Sequence, residues 1–259
     1  MAKLIKILTQ NCYLGLPMVK VPRLVSRFRP DVVCLQEVTS GWFINRVNRR
    51  GKHTAVSTYP EKMLTVFRGR NVTLSRWDVS DCGEMKYDQA GGVKAKRLAG
   101  QVLWTELRNR RKKIRVYNCH LGVFGVGMED RAGMLSDIAK HASKFTGPVI
   151  ICGDMNTMMP ELRPAWWLAK AWARFPYPGP KAAKYSWLGE KYYFQDMAKR
   201  YGFDEVLEID EQTWRLPFAK LNMWRPKLDW MLYRGLEPVG YELGPWIGDH
   251  RGIIATMRV

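Results

Sequence analysis

Several apolar runs in this chain hand over, at their end or just beyond it, to a side chain that can bind a metal ion or move a proton. Asn11 follows LIKIL, Glu37 follows DVVCL, His120 follows IRVYNC, and Asp154 and Asn156 follow VIIC. Asp229 stands inside KLDWMLYR between apolar and aromatic neighbours, and Asp249 and His250 come just before the last apolar run. One polar residue at a strand end is ordinary turn chemistry. Repetition at six places points instead to groups that open sheets carry at strand ends to do chemistry. Asn11, Glu37 and Asp249 offer hard oxygen ligands and no thiolate is among them, which favours Mg²⁺ or Mn²⁺ over Zn²⁺. Asp154 has the chemistry to take a proton from water, and Asn156 to orient that water or a phosphate. A histidine can stabilise charge that builds on phosphorane oxygens. Together these groups are equipped for metal-assisted hydrolysis of a phosphate ester.

Such a set needs a rigid frame. The chain has 259 residues, 46% of them apolar and 12% aromatic, enough for a large core. No linker, repeat or low-complexity tract interrupts it, so one domain over 1–259 is expected. No apolar run approaches the ~20 residues of a membrane span. The opening MAKLIKILTQ is broken by Lys6 and does not read as a secretory signal, so a cytoplasmic location is expected. Five cysteines without a CxxC pair read as small thiols in a reducing compartment. The net charge of +18 attracts polyanions, nucleic acid first and anionic membrane second, and says nothing about fold.

Apolar spacing predicts strands over 3–8, 31–35, 113–119, 149–152, 227–233, 237–243 and 253–257, and several short strands between 53 and 107. Helices are expected over 19–28, 42–47 and 129–145, and the stretch between 157 and 227 reads as irregular. This order mixes both element types without regular alternation. Two sheets packed face to face with helices outside accommodate it.

The segments LQEV (35–38), NCHLG (118–122), GDMN (153–156), LDWML (228–232) and GDHRGI (248–253) occur in an order that resembles the endonuclease/exonuclease/phosphatase superfamily, the DNase I-like proteins. The resemblance spans the chain from Asn11 to the last strand. It implies an α/β fold, a four-layer sandwich of two central mixed β-sheets flanked by helices, with the site at one edge. It further implies that Glu37 is the principal metal ligand, supported by Asn11 and Asp249. Asp154 positions or deprotonates the attacking water, and Asn156 contacts the scissile phosphate. His250 binds a phosphate oxygen, and Asp229 pairs with it to set its tautomer and charge. His120 matches a histidine that contacts phosphate or serves as acid toward the leaving oxygen. Several relatives support that histidine with a carboxylate from the middle of the chain, for which Glu84 and Asp88 are the candidates here. His141 is expected to be structural, and His53 is given no role.

The substrate is read from the remaining surface. The segment 161–201 interleaves many aromatic rings with cations, and such a mixture can stack bases and grip phosphates. Half or more of its rings are expected to pack against the sandwich instead. Lys94 and Lys96 alternate with apolar residues at a sheet edge, Arg110 and Arg111 sit in a basic hairpin loop, and 48–53 is a further basic cluster. With Trp214 and Arg215, Lys94, Lys96, Arg110 and Arg111 form the candidate substrate-binding set. The expected function is Mg²⁺-dependent hydrolysis of nucleic-acid phosphodiesters, DNA ahead of RNA, as in an endonuclease or a repair-type nuclease. The alternative is a phosphodiesterase or phosphatase of the same fold acting on phospholipid headgroups or inositol phosphates. A binding module that has lost catalysis is a third reading, which the intact set of polar residues disfavours. No obligate protein partner and no stable membrane insertion are expected.

Overall fold

A computed structural model describes residues 4–13, 20–39, 44–45, 54–57, 70–86, 100–122, 128–157, 189–215 and 226–259. Lys94, Lys96, the basic cluster 48–53, most of the expected helix 42–47 and the aromatic segment up to 188 lie outside these residues. In chain order the described elements are β1 (Leu4–Asn11), α1 (Lys20–Phe28), β2 (Val32–Val38), β3 (Thr54–Ser57), β4 (Arg70–Ser75), β5 (Asp78–Lys86), β6 (Gln101–Asn109) and β7 (Lys112–His120). There follow α2 (Met128–Ser143), β8 (Val149–Asp154), α3 (Glu190–Arg200), β9 (Asp204–Glu205), β10 (Asp229–Arg234), β11 (Glu237–Ile247) and β12 (His250–Arg258).

Among the described residues the strands form two six-stranded sheets, ordered β11-β12-β1-β2-β4-β3 and β5-β6-β7-β8-β10-β9. Each sheet holds one parallel pair, β1 with β2 and β7 with β8. A parallel pair needs a crossover, and α1 and α2 supply the two. The other strand pairs are antiparallel. The expected pair of mixed sheets with helices is thus the observed architecture, a DNase I-like α/β sandwich.

Apolar side chains from both sheets meet between them. Ile5, Ile7, Val32 and Cys34 of the first pack with Ile114, Val116, Ile150 and Cys152 of the second. The opposite face of the first sheet is covered by α1 through Val21, Leu24 and Val25. That of the second is covered by α2 and α3, with Leu135, Ile138 and Phe194 against Tyr117, Ile151 and Trp230. Central strands buried on both faces read as unbroken apolar runs, as VVCL and VIIC do. All five cysteines are free, and Cys82 alone of them is exposed.

Helix α3 departs from the irregular stretch expected there. Its aromatic YYF run masks the helix formers on either side of it, from Glu190 and Lys191 to Ala198, Lys199 and Arg200, and Gly189 precedes it at φ 88 with no side-chain cap. Tertiary contacts fix the aromatic run within the helix. Tyr193 and Phe194 are buried, and Phe194 stacks on Trp230 with centroids 4.9 Å apart. Arg131 of α2 holds Glu190 of α3 through Nε–Oε1 at 2.5 Å and Nη2–Oε2 at 2.7 Å, with both side chains almost fully buried.

Candidate active site

Strand direction explains why the polar strand ends meet. Asn11, Glu37, His120 and Asp154 lie at or beside the carboxyl ends of β1, β2, β7 and β8, the four parallel strands. Strands β10 and β12 run antiparallel to β8 and β1, so their first residues, Asp229 and His250, reach the same edge. Residue pairing links His120 to Asp154 and Asp154 to Asp229 across three adjacent strands. Asn11 of the first sheet bridges to the second, donating from Nδ2 to Asp154 Oδ2 at 2.9 Å and to Glu37 Oε1 at 3.3 Å.

Backbone strain collects at this edge. Among the described residues five non-glycines have positive φ, and three of them, Tyr13 (46°), Glu37 (57°) and Asn156 (52°), lie in or beside the site. Such conformations cost roughly 1–3 kcal/mol each and persist where surrounding structure imposes them. A bulge in β2 between Leu35 and Val38 turns Glu37 out of the regular ladder. Gly153, at φ 130, lets β8 approach β7 so closely that a Cβ there would collide with the Cys119 carbonyl oxygen.

The polar groups form a connected arrangement. Asp229 Oδ2 lies 2.8 Å from His250 Nδ1. The other ring nitrogen, Nε2, lies 3.7 Å from Asp154 Oδ2 and 3.8 Å from Asp249 Oδ1. His120 Nε2 lies 3.7 Å from Glu37 Oε1 and 3.9 Å from Asp154 Oδ2. These last separations exceed a hydrogen bond, so Asp154, both histidines and Glu37 converge without satisfying one another. Among the described residues His120 Nε2, Asp229 Oδ1 and Asp249 Oδ1 are buried and make no hydrogen bond. Asp154 Oδ1 accepts the Asn156 backbone N–H at 2.9 Å, and Asn156 Nδ2 donates to the Leu121 carbonyl at 2.7 Å.

Burial alone would lower the His250 pKa, but the carboxylates of Asp229 and Asp154 outweigh it and raise it to about 10, which keeps the ring cationic at neutral pH. Burial, followed by the Asp229 charge, pushes the Asp154 carboxyl up, against the opposing pull of His250. Burial likewise raises Asp249, with a further contribution from the Glu37 charge.

Several expected details differ. Asn11 presents its amide nitrogen, not its oxygen, to the carboxylates, and its Oδ1 accepts the Tyr13 N–H at 2.9 Å. His120 faces Glu37 and Asp154, whereas Glu84 is an exposed residue of β5 and Asp88 lies outside the described residues. Trp214 is buried and donates its indole N–H to Asp249 Oδ2 at 2.9 Å, so it orients a carboxylate instead of offering a free ring face. The Arg215 guanidinium lies over the Trp246 ring, 4.6 Å from its centroid, and its backbone N–H donates to the Asp249 carbonyl. Arg110 and Arg111 are not at the site: they form the turn between β6 and β7, at the end of β7 opposite His120. His141, expected to be structural, has Nδ1 2.7 Å from the Tyr117 hydroxyl.

Thr213 went unnoticed in the sequence. Its hydroxyl oxygen accepts the backbone N–H groups of Leu228 and Asp229 at 3.0 and 2.9 Å, and its carbonyl accepts the Arg251 N–H at 2.8 Å. It therefore ties the segment that bears Asp229 to the segment that bears His250. TW occurring before LDW was the only available signal.

Among the described residues no three His, Cys, Asp or Glu side chains close around an ion. Mg²⁺ does not require that, since it commonly takes one or two carboxylates and completes its shell with water and substrate oxygens. Glu37, whose side chain is 22% exposed, and Asp249, with one buried oxygen lacking a hydrogen bond, fit that pattern.

Residues 8–250 match the Endonuclease/Exonuclease/phosphatase family, whose members are generally dependent on divalent metals. No curated protein sequence matches the chain. Among solved structures, TDP2 from C. elegans superposes with a TM-score of 0.65 at 15% identity, over 99% of this chain and 75% of that one. TDP2 from D. rerio, complexed with a single-strand DNA product, gives 0.67 at 14% identity, over 99% and 100%. An endonuclease/exonuclease/phosphatase family protein from Leptotrichia buccalis gives 0.68 at 14% identity, over 98% and 100%. At these identities the likeness is one of fold, while the family match covers nearly the whole chain. The chain belongs to the Endonuclease/Exonuclease/phosphatase family and is a phosphoric ester hydrolase.

Proposed function

We propose that this hydrolase cleaves nucleic-acid phosphodiesters with the help of Mg²⁺ or Mn²⁺, and that DNA is the preferred substrate. The observation that carries the reading is the convergence of Asp154 Oδ2 and His250 Nε2, 3.7 Å apart, in a chain of net charge +18. The complex of D. rerio TDP2 with a single-strand DNA product supports a nucleic-acid substrate for this shape of protein. Among the described residues no helix is long and apolar enough to cross a membrane.

In the proposed mechanism Glu37 and Asp249 would hold the cation, which would supply neutralisation of the charge that develops on the reacting phosphate. Asp154, aligned by the Asn156 N–H and by Asn11, orients a water and takes its proton as the water oxygen bonds to phosphorus. The imidazolium of His250, charged through Asp229, stabilises the negative charge that develops on the phosphorane. His120 donates a proton to the leaving oxygen as its bond to phosphorus breaks. The products are a phosphate monoester and an alcohol. Asn156 keeps one amide hydrogen beyond that given to Leu121 and can direct it to a phosphate oxygen.

Incubation of the pure protein with supercoiled plasmid and Mg²⁺, with and without EDTA, tests this reading. Metal-dependent nicking is expected. Folded protein that leaves DNA and RNA intact but hydrolyses a phosphoinositide or a choline headgroup ester would replace it with the lipid reading.

A further inference from the structure

The basic hairpin lies away from the site, and the proposed chemistry leaves it without a role. Arg108, Arg110, Arg111, Lys112 and Lys113 crowd the tip between β6 and β7, and all five are exposed. His120 is eight residues beyond Lys112 along β7, which places the tip about 27 Å from the catalytic edge at ~3.4 Å per residue. No side chain at the tip can then reach a phosphate being cleaved. Among the described residues the one side-chain hydrogen bond of these five runs from Lys112 Nζ to the Val259 main-chain oxygen at 3.3 Å.

The turn itself is at odds with its sequence. Asn109 pairs with Lys112, so Arg110 and Arg111 form a two-residue hairpin loop. Arg110 has φ 56, a region that glycine or asparagine enters at little cost and other residues at roughly 1–2 kcal/mol. The chain thus carries a guanidinium at the apex where a cheaper residue would close the same turn. A local conflict of this kind is expected where function, not folding, selects the residue.

We propose that this hairpin is a second nucleic-acid contact, separate from the catalytic pocket, that grips the backbone of a distal segment of the polymer. Five cations within six positions supply the Arg and Lys contacts that phosphate oxygens take and that position a strand independently of its sequence. A membrane surface is the weaker match, because a membrane-seeking segment sets aromatic or large apolar groups against its cations. The tip has none, and the exposed large apolar residues of the described chain are the scattered Leu4 and Val239.

The test replaces Arg108, Arg110, Arg111, Lys112 and Lys113 together by glutamine, with Arg110→Gly as a second variant. Binding of a 40-nucleotide single strand and of a 40-base-pair duplex is measured by fluorescence anisotropy in EDTA across a salt series. Hydrolysis of bis(p-nitrophenyl) phosphate with Mg²⁺ is measured in parallel, because that small ester reaches the pocket alone. The five-residue variant is expected to bind DNA at least tenfold more weakly, and its log–log salt slope should shrink by about 0.9 on the duplex and about 0.7 on the single strand for each phosphate no longer engaged. Its turnover of the small ester should stay within twofold of the parent. Arg110→Gly should unfold at the same temperature as the parent or a higher one, yet bind DNA more weakly. Unchanged DNA binding and salt slope in the five-residue variant would overturn the proposal, as would a parallel loss of small-ester hydrolysis. Lost binding to vesicles containing 30% phosphatidylserine, with DNA binding intact, would overturn it in favour of a membrane. Failure of the nuclease reading itself would show separately, as no metal-dependent turnover of any phosphodiester by the parent.

Discussion

His250 is the residue on which the electrostatics of the site turn. It lies 2.8 Å from Asp229 on one side and 3.7 Å from Asp154 on the other, and its raised pKa follows from those two charges. The folded-state value, about 10, lies above the ordinary 6.5, so the pair contributes stability that is complete below about pH 6.5 and is lost as pH rises toward 10. Asp229→Asn removes the nearer charge. Its stability deficit relative to the parent, measured by denaturant unfolding, should be largest near neutral pH and shrink toward pH 10. Its rate of phosphodiester cleavage should fall by about 10²–10³, the scale of losing one charge-stabilising group. The fall in rate with alkaline pH should also begin earlier than in the parent. Unchanged pH dependence of both quantities would separate His250 from Asp229.

The strand ends set where these residues stand, and the tightest constraint is the approach of β8 to β7 at Gly153. With φ 130 and the Cys119 carbonyl oxygen occupying the space a Cβ would need, Gly153→Ala must push β7 and β8 apart in the second sheet. Calorimetry should show a loss of roughly 3 kcal/mol or more, or no folding. Two buried ion pairs hold neighbouring elements. Lys227 Nζ lies 2.9 Å from Glu205 beside the start of β10, and Glu190→Gln, which leaves the buried Arg131 guanidinium without its counter-charge, should cost about 3–5 kcal/mol.

Apolar runs such as VVCL and VIIC disclosed the central strands, and the polar residues at their ends disclosed the site, because a strand buried on both faces leaves little ambiguity. Helix α3 was not legible, since its YYF run reads as strand-like and is fixed in the helix by the burial of Tyr193 and Phe194. Thr213 and Trp214 were illegible as supports because their partners, Asp229 and Asp249, are reached only through the fold. The charge of Arg110 and Arg111 was visible in the sequence, but their distance from the pocket was not, because which end of the sheet a hairpin occupies is set by the fold.

Of the cations behind the net charge of +18, five crowd the hairpin tip, away from the carboxylates of the pocket. Binding to DNA should weaken steeply with salt in the parent. The remaining slope in the glutamine-substituted hairpin variant would apportion that dependence between the two ends. The two sheets resemble each other in plan, each with a helix-joined parallel pair at its centre. The proposed chemistry requires both, since Glu37 and Asp249 come from one sheet and its margin while His120 and Asp154 come from the other.

Single-turnover cleavage of a labelled oligonucleotide across a Mg²⁺ titration, by the parent, Asp154→Ala and His250→Ala, decides whether these residues form one phosphodiesterase centre. Metal-dependent cleavage by the parent that EDTA abolishes is expected, with a loss of at least 10³-fold in each variant while folding and DNA binding are retained. Cleavage that persists in EDTA, or variants that cleave as fast as the parent, would refute a shared centre.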